Sequence, residues 1–281
     1  MVLLSWDFPD NVIETMTHTL RYDAGAGAYD RLTGRWSRMY VEAVLDATRV
    51  TAGSHVLDVA TGTGDAAIVA ADRVGLTGRV VAVDVSAPML LEATAKAGPR
   101  RIEFLEADAQ RLPFDGNTFD AVICLFGLMF VTHPVDTLKG LRRLLRSNGT
   151  LAATCWGAPL QAPFAGLVAE ALAAQLPDDR DDLLRPFSLC DAEATSAIFT
   201  AAGFTDVATA LEARSSRFMS FDDDFWEPIE AGGGRLGQAY LSLPPAQRHA
   251  VRQDVLGRLP VHASNEPFTL NHHAWLVVGH G

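Results

Sequence analysis

Cysteine is scarce in this chain. There are three in 281 residues, Cys124, Cys155 and Cys190, odd in number and far apart. Their spacing makes neither a disulfide framework nor a metal-binding set, so a reducing, cytoplasmic compartment is expected. Cys124 and Cys155 fall in runs that read as buried strands, where a thiol packs as a small hydrophobe. Basic side chains are also few. Lys and Arg total 23 against 34 Asp and Glu, a formal net charge of −11. Such a balance disfavours unaided binding to nucleic acid or to an anionic membrane, both of which need a basic face. No apolar run approaches membrane-spanning length, so no stable membrane insertion is expected. Met1-Val2-Leu3-Leu4-Ser5-Trp6-Asp7 has neither the basic region nor the long apolar stretch of a secretory leader. Repeats and low-complexity segments are missing too. What the chain does have is apolar residues, 48% of the total, enough for a sizeable core in one large or two small domains.

The most informative run is Val56-Leu57-Asp58-Val59-Ala60-Thr61-Gly62-Thr63-Gly64-Asp65. Apolar residues lead into a turn of small residues, and a helix-compatible stretch follows at 66–71. The pattern predicts a buried strand, a tight glycine turn and a helix start. Glycine is needed there because the backbone turns sharply and a ligand comes close, with no Cβ in the way. A nucleoside cofactor is the expected ligand, and two fit the pattern. Gly62-Thr63-Gly64-Asp65-Ala66-Ala67 satisfies the dinucleotide pattern G-x-G-x-x-G/A, and Asp84 lies 20 residues past Gly64 (84 − 64). Charge favours the other candidate. Asp58 and Asp65 flank the turn, no Lys or Arg lies between Val56 and Ala71, and two acids would repel a pyrophosphate. S-adenosylmethionine (SAM) carries no phosphate; its sulfonium and ammonium groups are cations that acids suit.

Two further acids end predicted strands. Val80-Val81-Ala82-Val83-Asp84 is a β-branched run closing on a carboxylate that can accept from ribose hydroxyls. The run 102–109 closes on Asp108, placed to accept from an adenine amino group. With these strand ends aligned, the chain resembles the class I SAM-dependent methyltransferases. Within them it resembles the small-molecule enzymes of the ubiquinone/menaquinone-biosynthesis type. The matching pieces are 56–65, Val83-Asp84-Val85-Ser86 with Met89-Leu90, Ala107-Asp108-Ala109 with Leu112-Pro113-Phe114, Phe119-Asp120, and 141–149 before a strand at 150–156. The likeness is strong over 48–157 and weaker through Ala201-Ala202-Gly203-Phe204 and Ala274-Trp275-Leu276-Val277-Val278. Ala60 departs from it, standing where the family usually has the first glycine of G-x-G-x-G.

The resemblance implies a set of roles. Asp58, Ala60, Gly62 and Gly64 would surround the methionine part of SAM. Asp84 would hold the ribose, with Val85 and Met89 over the adenine and Asp108 and Ala109 at its edge. Leu125 and Phe126 would close the site, and S-adenosylhomocysteine would be the product.

Periodicity predicts an α/β fold: a Rossmann-like sheet with helices on both faces, a helical N-terminal cap and a lid insertion before the last strand. Strands are expected at 55–60, 79–85, 102–106, 121–125 and 150–156, with helices at 65–73, 88–96 and 134–145. Pro88 suits a helix start and Ser147-Asn148-Gly149 a helix end. The expected division is a cap at 1–47, a SAM-binding core at 48–217 with a helical excursion at 158–190, a lid at 218–265 and a final core strand at 266–281. In the cap, 22–29 reads as a glycine-rich loop and 32–48 as a helix burying Met39, Val41, Val44 and Leu45. A helix over 191–203 has Asp191 as its N-cap, and another spans 245–259. Asp222-Asp223-Asp224 reads as a helix N-terminus rather than a metal site, and no metal is expected.

Methyl transfer is an in-line displacement, so alignment and exclusion of water are the main tasks. A base helps when the acceptor is a hydroxyl. No base is evident. The usual segment, Phe126-Gly127-Leu128-Met129-Phe130-Val131-Thr132-His133, has Met129-Phe130 where some relatives have paired histidines. His133 is the catalytic candidate, with a capping or exposed position as its competing reading. His272 and His273 are read as structural residues of the last strand. Tyr22, Tyr29, Met129, Phe130 and Trp226 are the candidate substrate pocket, and with Phe126 they point to a bulky apolar or aromatic small-molecule acceptor, methylated on oxygen or carbon. The Asn/Asp-Pro-Pro-Tyr/Phe signature of enzymes acting on base amines or protein glutamine is missing after strand four. Two readings stay open beside the leading one: a SAM-binding, non-methylating enzyme such as a cyclase, and a nicotinamide-dependent oxidoreductase, which lacks support from any Tyr-x-x-x-Lys pair. The oligomeric state is left open by the chain, a homodimer being one state compatible with it.

Overall fold

A computed structural model of the protein describes residues 30, 34–260 and 265–281. Tyr22, Tyr29 and most of the cap at 1–47 lie outside the described residues. Seven strands form one sheet: β1 (His55–Val59), β2 (Arg79–Asp84), β3 (Ile102–Glu106), β4 (Phe119–Leu125), β5 (Leu145–Trp156), β6 (Thr205–Phe218) and β7 (Phe268–His280). Their order is β3-β2-β1-β4-β5-β7-β6. The first five are parallel to one another, and β7 runs antiparallel between β5 and β6. The order reverses between β1 and β4, and a crevice at the carboxyl ends of the strands there is where open α/β sheets bind ligands.

The longer helices are α1 (Val41–Ala47), α2 (Asp65–Val74), α3 (Ala87–Ala97), α4 (Pro134–Leu144), α5 (Pro163–Gln175), α6 (Ala192–Ala201), α7 (Gly234–Ser242) and α8 (Pro245–Arg258). Two cores lie on the two sheet faces because the strands alternate. Val56, Val80, Ala82, Ala121 and Ile123 pack with Val41, Val44 and Leu45 of α1 and Ala66, Ala67 and Ala70 of α2. Leu57, Val59, Val81, Val83 and Val122 face the other way, onto Leu138 and Leu141 of α4 and the apolar α5. Burial on both faces is why these strands read as continuous apolar runs. Met39, expected with the α1 face, is only half-buried.

One boundary differs in kind. Ser147-Asn148-Gly149 does not end a helix: α4 stops at Leu144, and Leu145 already pairs with Phe119. Asn148 (φ 68°) and Gly149 belong to a turn inside the β5 span, where a Cβ on Gly149 would come 2.9 Å from the Arg146 carbonyl oxygen. Local turn chemistry was the same in both cases; the pairing with β4 decided its use. Asp191 caps α6 as expected, accepting from the Ala194 N–H at 2.8 Å.

The excursion between β6 and β7 is anchored by aromatic rings. Phe221-Asp222-Asp223-Asp224-Phe225-Trp226 forms a π-helical turn capped by Ser220, whose Oγ accepts from the Asp223 N–H at 3.0 Å. Asp224 pairs with Arg35 and Asp222 with Arg252. The triplet therefore holds helix ends and arginines, and no cluster of metal-binding side chains occurs among the described residues. Phe225 packs edge-on against Phe164 of α5, and Phe218 stacks on Phe268. Among the described residues, no helix is long and apolar enough to cross a membrane.

The turn after β1 makes a testable packing pair. A Cβ on Gly127 would sit 2.4 Å from the Ala60 Cβ and 3.0 Å from the Cys124 Sγ. Overpacking of this kind costs about 2 kcal/mol. Gly127→Ala is expected to lose roughly that amount in urea unfolding, and the double variant with Ala60→Gly to recover more than half. Strictly additive effects would show that the two positions do not compete for space.

Candidate functional site

The site is built by the chain leaving β1. Ala60, Gly62 and Gly64 all adopt left-handed backbone, with φ of 56°, 55° and 83°. Three such residues in five turn the strand end directly into α2. Gly64 is required twice over, since a Cβ there would also lie 2.9 Å from the Ala93 Cβ of α3. Gly62 is different: nothing lies within 4 Å of where its Cβ would be, so the loop presents open space. Ala60 fills part of the room a family glycine would leave, and Gly127 opposite it gives that room back.

Three carboxylates stand at successive strand ends. Asp58 is fully buried, and its Oδ2 accepts from the Thr61 hydroxyl at 2.6 Å. Its Oδ1 has no partner. Burial pushes the Asp58 carboxyl up to about 7; the Thr61 hydroxyl opposes this, and the negative charge of Asp84 adds to it. Asp84 ends β2 and accepts from the Gly62 N–H at 2.8 Å and the Ser86 N–H at 3.0 Å, tying the two loops together. Asp108 follows β3 and accepts from the Gln110 N–H at 2.9 Å. Val85 is exposed beside this edge, whereas Met89 is buried under it and Ala109 is half-buried.

Asp65 does not carry the charge argument made for it. Lys96 of α3 reaches Asp65 and Asp30 at 2.8 Å each and Thr63 Oγ1 at 3.0 Å, and Arg38 lies within 3.9 Å of both acids. The loop is therefore not purely acidic: cations distant in sequence neutralise Asp65, and only Asp58 and Asp84 bear on a cationic ligand.

Beyond β4 the apolar pieces separate. Leu125 is half-buried, and Phe126 (φ 58°) is buried and stacked on Trp156 at 3.9 Å between centroids, with Tyr40 edge-on at 5.3 Å. Met129 is in the core and Phe130 is half-buried against it. Trp226 does not line the site. It is buried among Phe221 and Tyr240, and its indole N–H donates to Glu230. Tyr22 and Tyr29 lie outside the described residues. His133 is exposed at the start of α4, without a side-chain capping bond.

The cavity that does form was not anticipated. Trp36, Trp156, Ala162, Phe164, Ala165 and His272 surround a cavity of about 10 Å³, room for about one water, next to the Phe126–Trp156 stack. His272 sits within β7, beyond the carboxyl end of β5, because Trp156 pairs with Ala274. One signal was available: Phe268, Leu270, His272 and Ala274 share the inward face of an alternating strand. Trp36 and Phe164 come from the N-terminal segment and α5, and no local pattern brings them together.

A parallel sheet that reverses at β1/β4, an antiparallel β7, and a glycine turn ringed by strand-end carboxylates define a Rossmann-like class I methyltransferase. The family described as "Methyltransferase domain" matches residues 56–149. A ubiquinone/menaquinone biosynthesis C-methyltransferase UbiE of Pseudomonas fluorescens (strain SBW25) is 37% identical over 137 residues, 47% of this chain and 54% of that protein. The UbiE of Ectopseudomonas oleovorans is 39% identical over 124 residues, 43% of this chain and 73% of that one. The match thus spans about half the length of the Pseudomonas relative. Phosphoethanolamine N-methyltransferase 2 of Haemonchus contortus, solved with S-adenosyl-L-methionine, shares the fold at a TM-score of 0.60 and 20% identity, over 97% of this chain and 61% of that one. The chain belongs to the class I SAM-dependent methyltransferases of the ubiquinone/menaquinone-biosynthesis type.

Burying Asp58 has a pH signature. Its folded carboxyl holds a proton more tightly than the unfolded one does, so its contribution to stability is full below about pH 4 and is lost as the pH rises through about 7. Asp58→Asn removes that loss and is expected to gain up to about 4 kcal/mol on the wild type between pH 4 and pH 8. His272, held down to about 4 by burial, acts in the opposite sense, losing stability as the pH falls from about 6.5 toward 4. The readout is therefore the variant-minus-wild-type difference from paired urea titrations. A difference flat with pH would mean that Asp58 stays ionised in the fold.

Proposed function

We propose that this protein transfers a methyl group from SAM to a small, flat, largely apolar acceptor, on oxygen or carbon, chiefly by positioning. The observation that carries the reading is the open face over Gly62, set between the unpaired Oδ1 of buried Asp58 and the strand-end carboxylate of Asp84. SAM, when bound, supplies a methyl group activated by its sulfonium. The donor set fits it: two carboxylates suit a cation, and the lysine that reaches the turn, Lys96, is taken up by Asp65 and Asp30 rather than offered to a pyrophosphate.

On this reading, the backbone of Ala60, Gly62 and Gly64 cradles the methionine part, with the charge of Asp58 beneath it. Asp84 accepts from the ribose. Val85 and Met89 cover the adenine, and Asp108 and Ala109 meet its edge. Leu125 and Phe126 close the site on the β4 side, and the Phe126–Trp156 stack excludes water between cofactor and acceptor. We take the acceptor to approach on the Phe126–Trp156 side of the sheet rather than at Trp226, which packs among Phe221 and Tyr240. We also assign residues 48–217 and 266–281 to the cofactor-binding core, and 218–265 to an acceptor-side cover. The three free cysteines support a cytoplasmic location.

Calorimetry with SAM, S-adenosylhomocysteine and NAD tests the cofactor, and transfer of a labelled methyl group to a panel of aromatic acceptors tests the activity. Micromolar binding of the SAM pair is expected, with at least a tenfold loss in Asp84→Ala and no binding of NAD. Since a cation favours ionised Asp58, SAM should bind about tenfold more weakly at pH 6 than at pH 8, and Asp58→Asn should flatten that slope. Binding of NAD in place of SAM would overturn the reading.

A further inference from the structure

Strand β6 ends the sheet, and among the described residues no strand lies beyond it. The direction of its backbone groups follows from the ladder. The His273 carbonyl accepts from the Gly157 N–H at 3.0 Å, so odd residues of β7 point at β5 and even ones at β6. Arg214 lies opposite His272, and Ala210 opposite Leu276. Even residues of β6 therefore bond to β7, and the N–H and C=O groups of its odd residues point outward. Part of that outward row is already answered. The Ala213 carbonyl accepts from Arg214 at 2.9 Å, and the Arg217 carbonyl from Arg35 at 3.2 Å. At the other end, a bulge between Thr205 and Ala208, with Asp206 left-handed at φ 48°, breaks the regular edge. Between these two devices lies Ala208-Thr209-Ala210-Leu211, without the charge or proline that usually blunts an edge. Such an edge is a template for another strand, and its side chains say which.

Thr209 and Leu211 lie on the sheet face that carries α6. Leu211 is 45% exposed there, and Thr209 lines an open groove of about 670 Å³ with Ala192, Ser196, Ala197 and Thr200 of α6. A protruding leucine and a groove two residues apart on one strand are self-complementary. We infer that β6 pairs antiparallel with β6 of a second copy of this chain, about a two-fold axis at Ala210. Thr209 then meets the partner's Leu211 as a hydrogen-bonded pair, and Leu211 meets the partner's Thr209. Directly opposed side chains share a face, so each Leu211 enters the groove of the other copy. Moving the axis to Thr209 or to Leu211 keeps the backbone bonds but sets Leu211 against Val207 or against its own equivalent. The axis at Ala210 also brings Asp206 of each strand to the end of the other that carries Arg214, its opposite in charge. Because one chain supplies both knob and groove, the contact is isologous and closes at two copies. The paired stretch is short against the roughly 20 residues a side of a standard interface, so micromolar association is expected. The inference is independent of the cofactor reading, since β6 is the sheet edge opposite β3.

Sedimentation velocity on the full chain reads the oligomeric state. Wild type is expected to pass reversibly from monomer to dimer across the micromolar range. Leu211→Glu should weaken the dimer at least tenfold, while Leu76→Glu, at an exposed leucine outside β6, should leave it unchanged. Thr209→Pro, which removes an outward N–H that the β6–β7 ladder does not use, should act like Leu211→Glu. Cross-linking reads the register. In a Cys190→Ser background, Ala210→Cys should form an interchain disulfide on oxidation, because residues at the axis form a non-hydrogen-bonded pair with Cα atoms about 4.5 Å apart. Ala213→Cys, three residues from the axis, should not. A wild-type chain that stays monomeric across that range overturns the inference. So does a dimer that keeps its affinity in both Leu211→Glu and Thr209→Pro, or an Ala210→Cys variant that dimerises without cross-linking. The wild-type mass and the cross-link stand as tests even where another variant fails to fold.

Discussion

Everything at the carboxyl edge of the sheet depends on how tightly the chain can turn as it leaves β1. Three left-handed residues, Ala60, Gly62 and Gly64, bring α2 down beside the strand within a single turn. That turn leaves Asp58 sealed below and Gly62 open above. It also lets α3 pack against Gly64, which carries Lys96 to Asp65 and Asp30. A wider turn would admit water to Asp58, and its raised affinity for a proton would vanish. The strained Ala60 is tolerated because Gly127 leaves space for its methyl group, so the loop after β4 and the loop after β1 are fitted to each other.

The two halves of the site differ in physical character. On the β1–β3 side, Asp84 and Asp108 accept from backbone N–H groups and Asp58 from the Thr61 hydroxyl, and all three stand at strand ends in order. On the β4–β7 side, aromatic rings from four separate parts of the chain make an apolar wall around His272. Polar groups on the first side are largely answered within the protein. On the second, Trp36 Nε1 and His272 Nε2 are buried without a protein partner, around a cavity of about one water's volume. Lys96 and Arg38 show why charge has to be judged in three dimensions: Asp65 reads as a free acid along the chain and is a paired one in the fold.

How far the fold and site were legible follows from range. Strands β1 to β5 and helices α2, α3, α4 and α6 were readable because burial on both sheet faces writes continuous apolar runs, and glycines and prolines punctuate them. The turn at 60–64 and the acids Asp58, Asp84 and Asp108 were readable because each lies a few residues from the strand it ends. Ser147-Asn148-Gly149 was misread because a helix stop and a strand-internal turn use the same residues, and only the pairing of Leu145 with Phe119 separates them. Trp226 was misplaced because an aromatic beside a polar run looks alike whether it faces a pocket or a core.

The sequence by itself determined the α/β class, the parallel sense of the first strands, the glycine turn and the acids that ring it, since all of these follow from local geometry and two-sided burial. Only the tertiary structure decided which aromatics meet. Trp36, Trp156, Phe164 and His272 lie on an N-terminal segment, a strand end, a helix and the last strand, and they converge because β7 inserts antiparallel between β5 and β6. Side-chain neighbours that far apart in the chain are set by the packing of whole elements, and no spacing along the sequence encodes them.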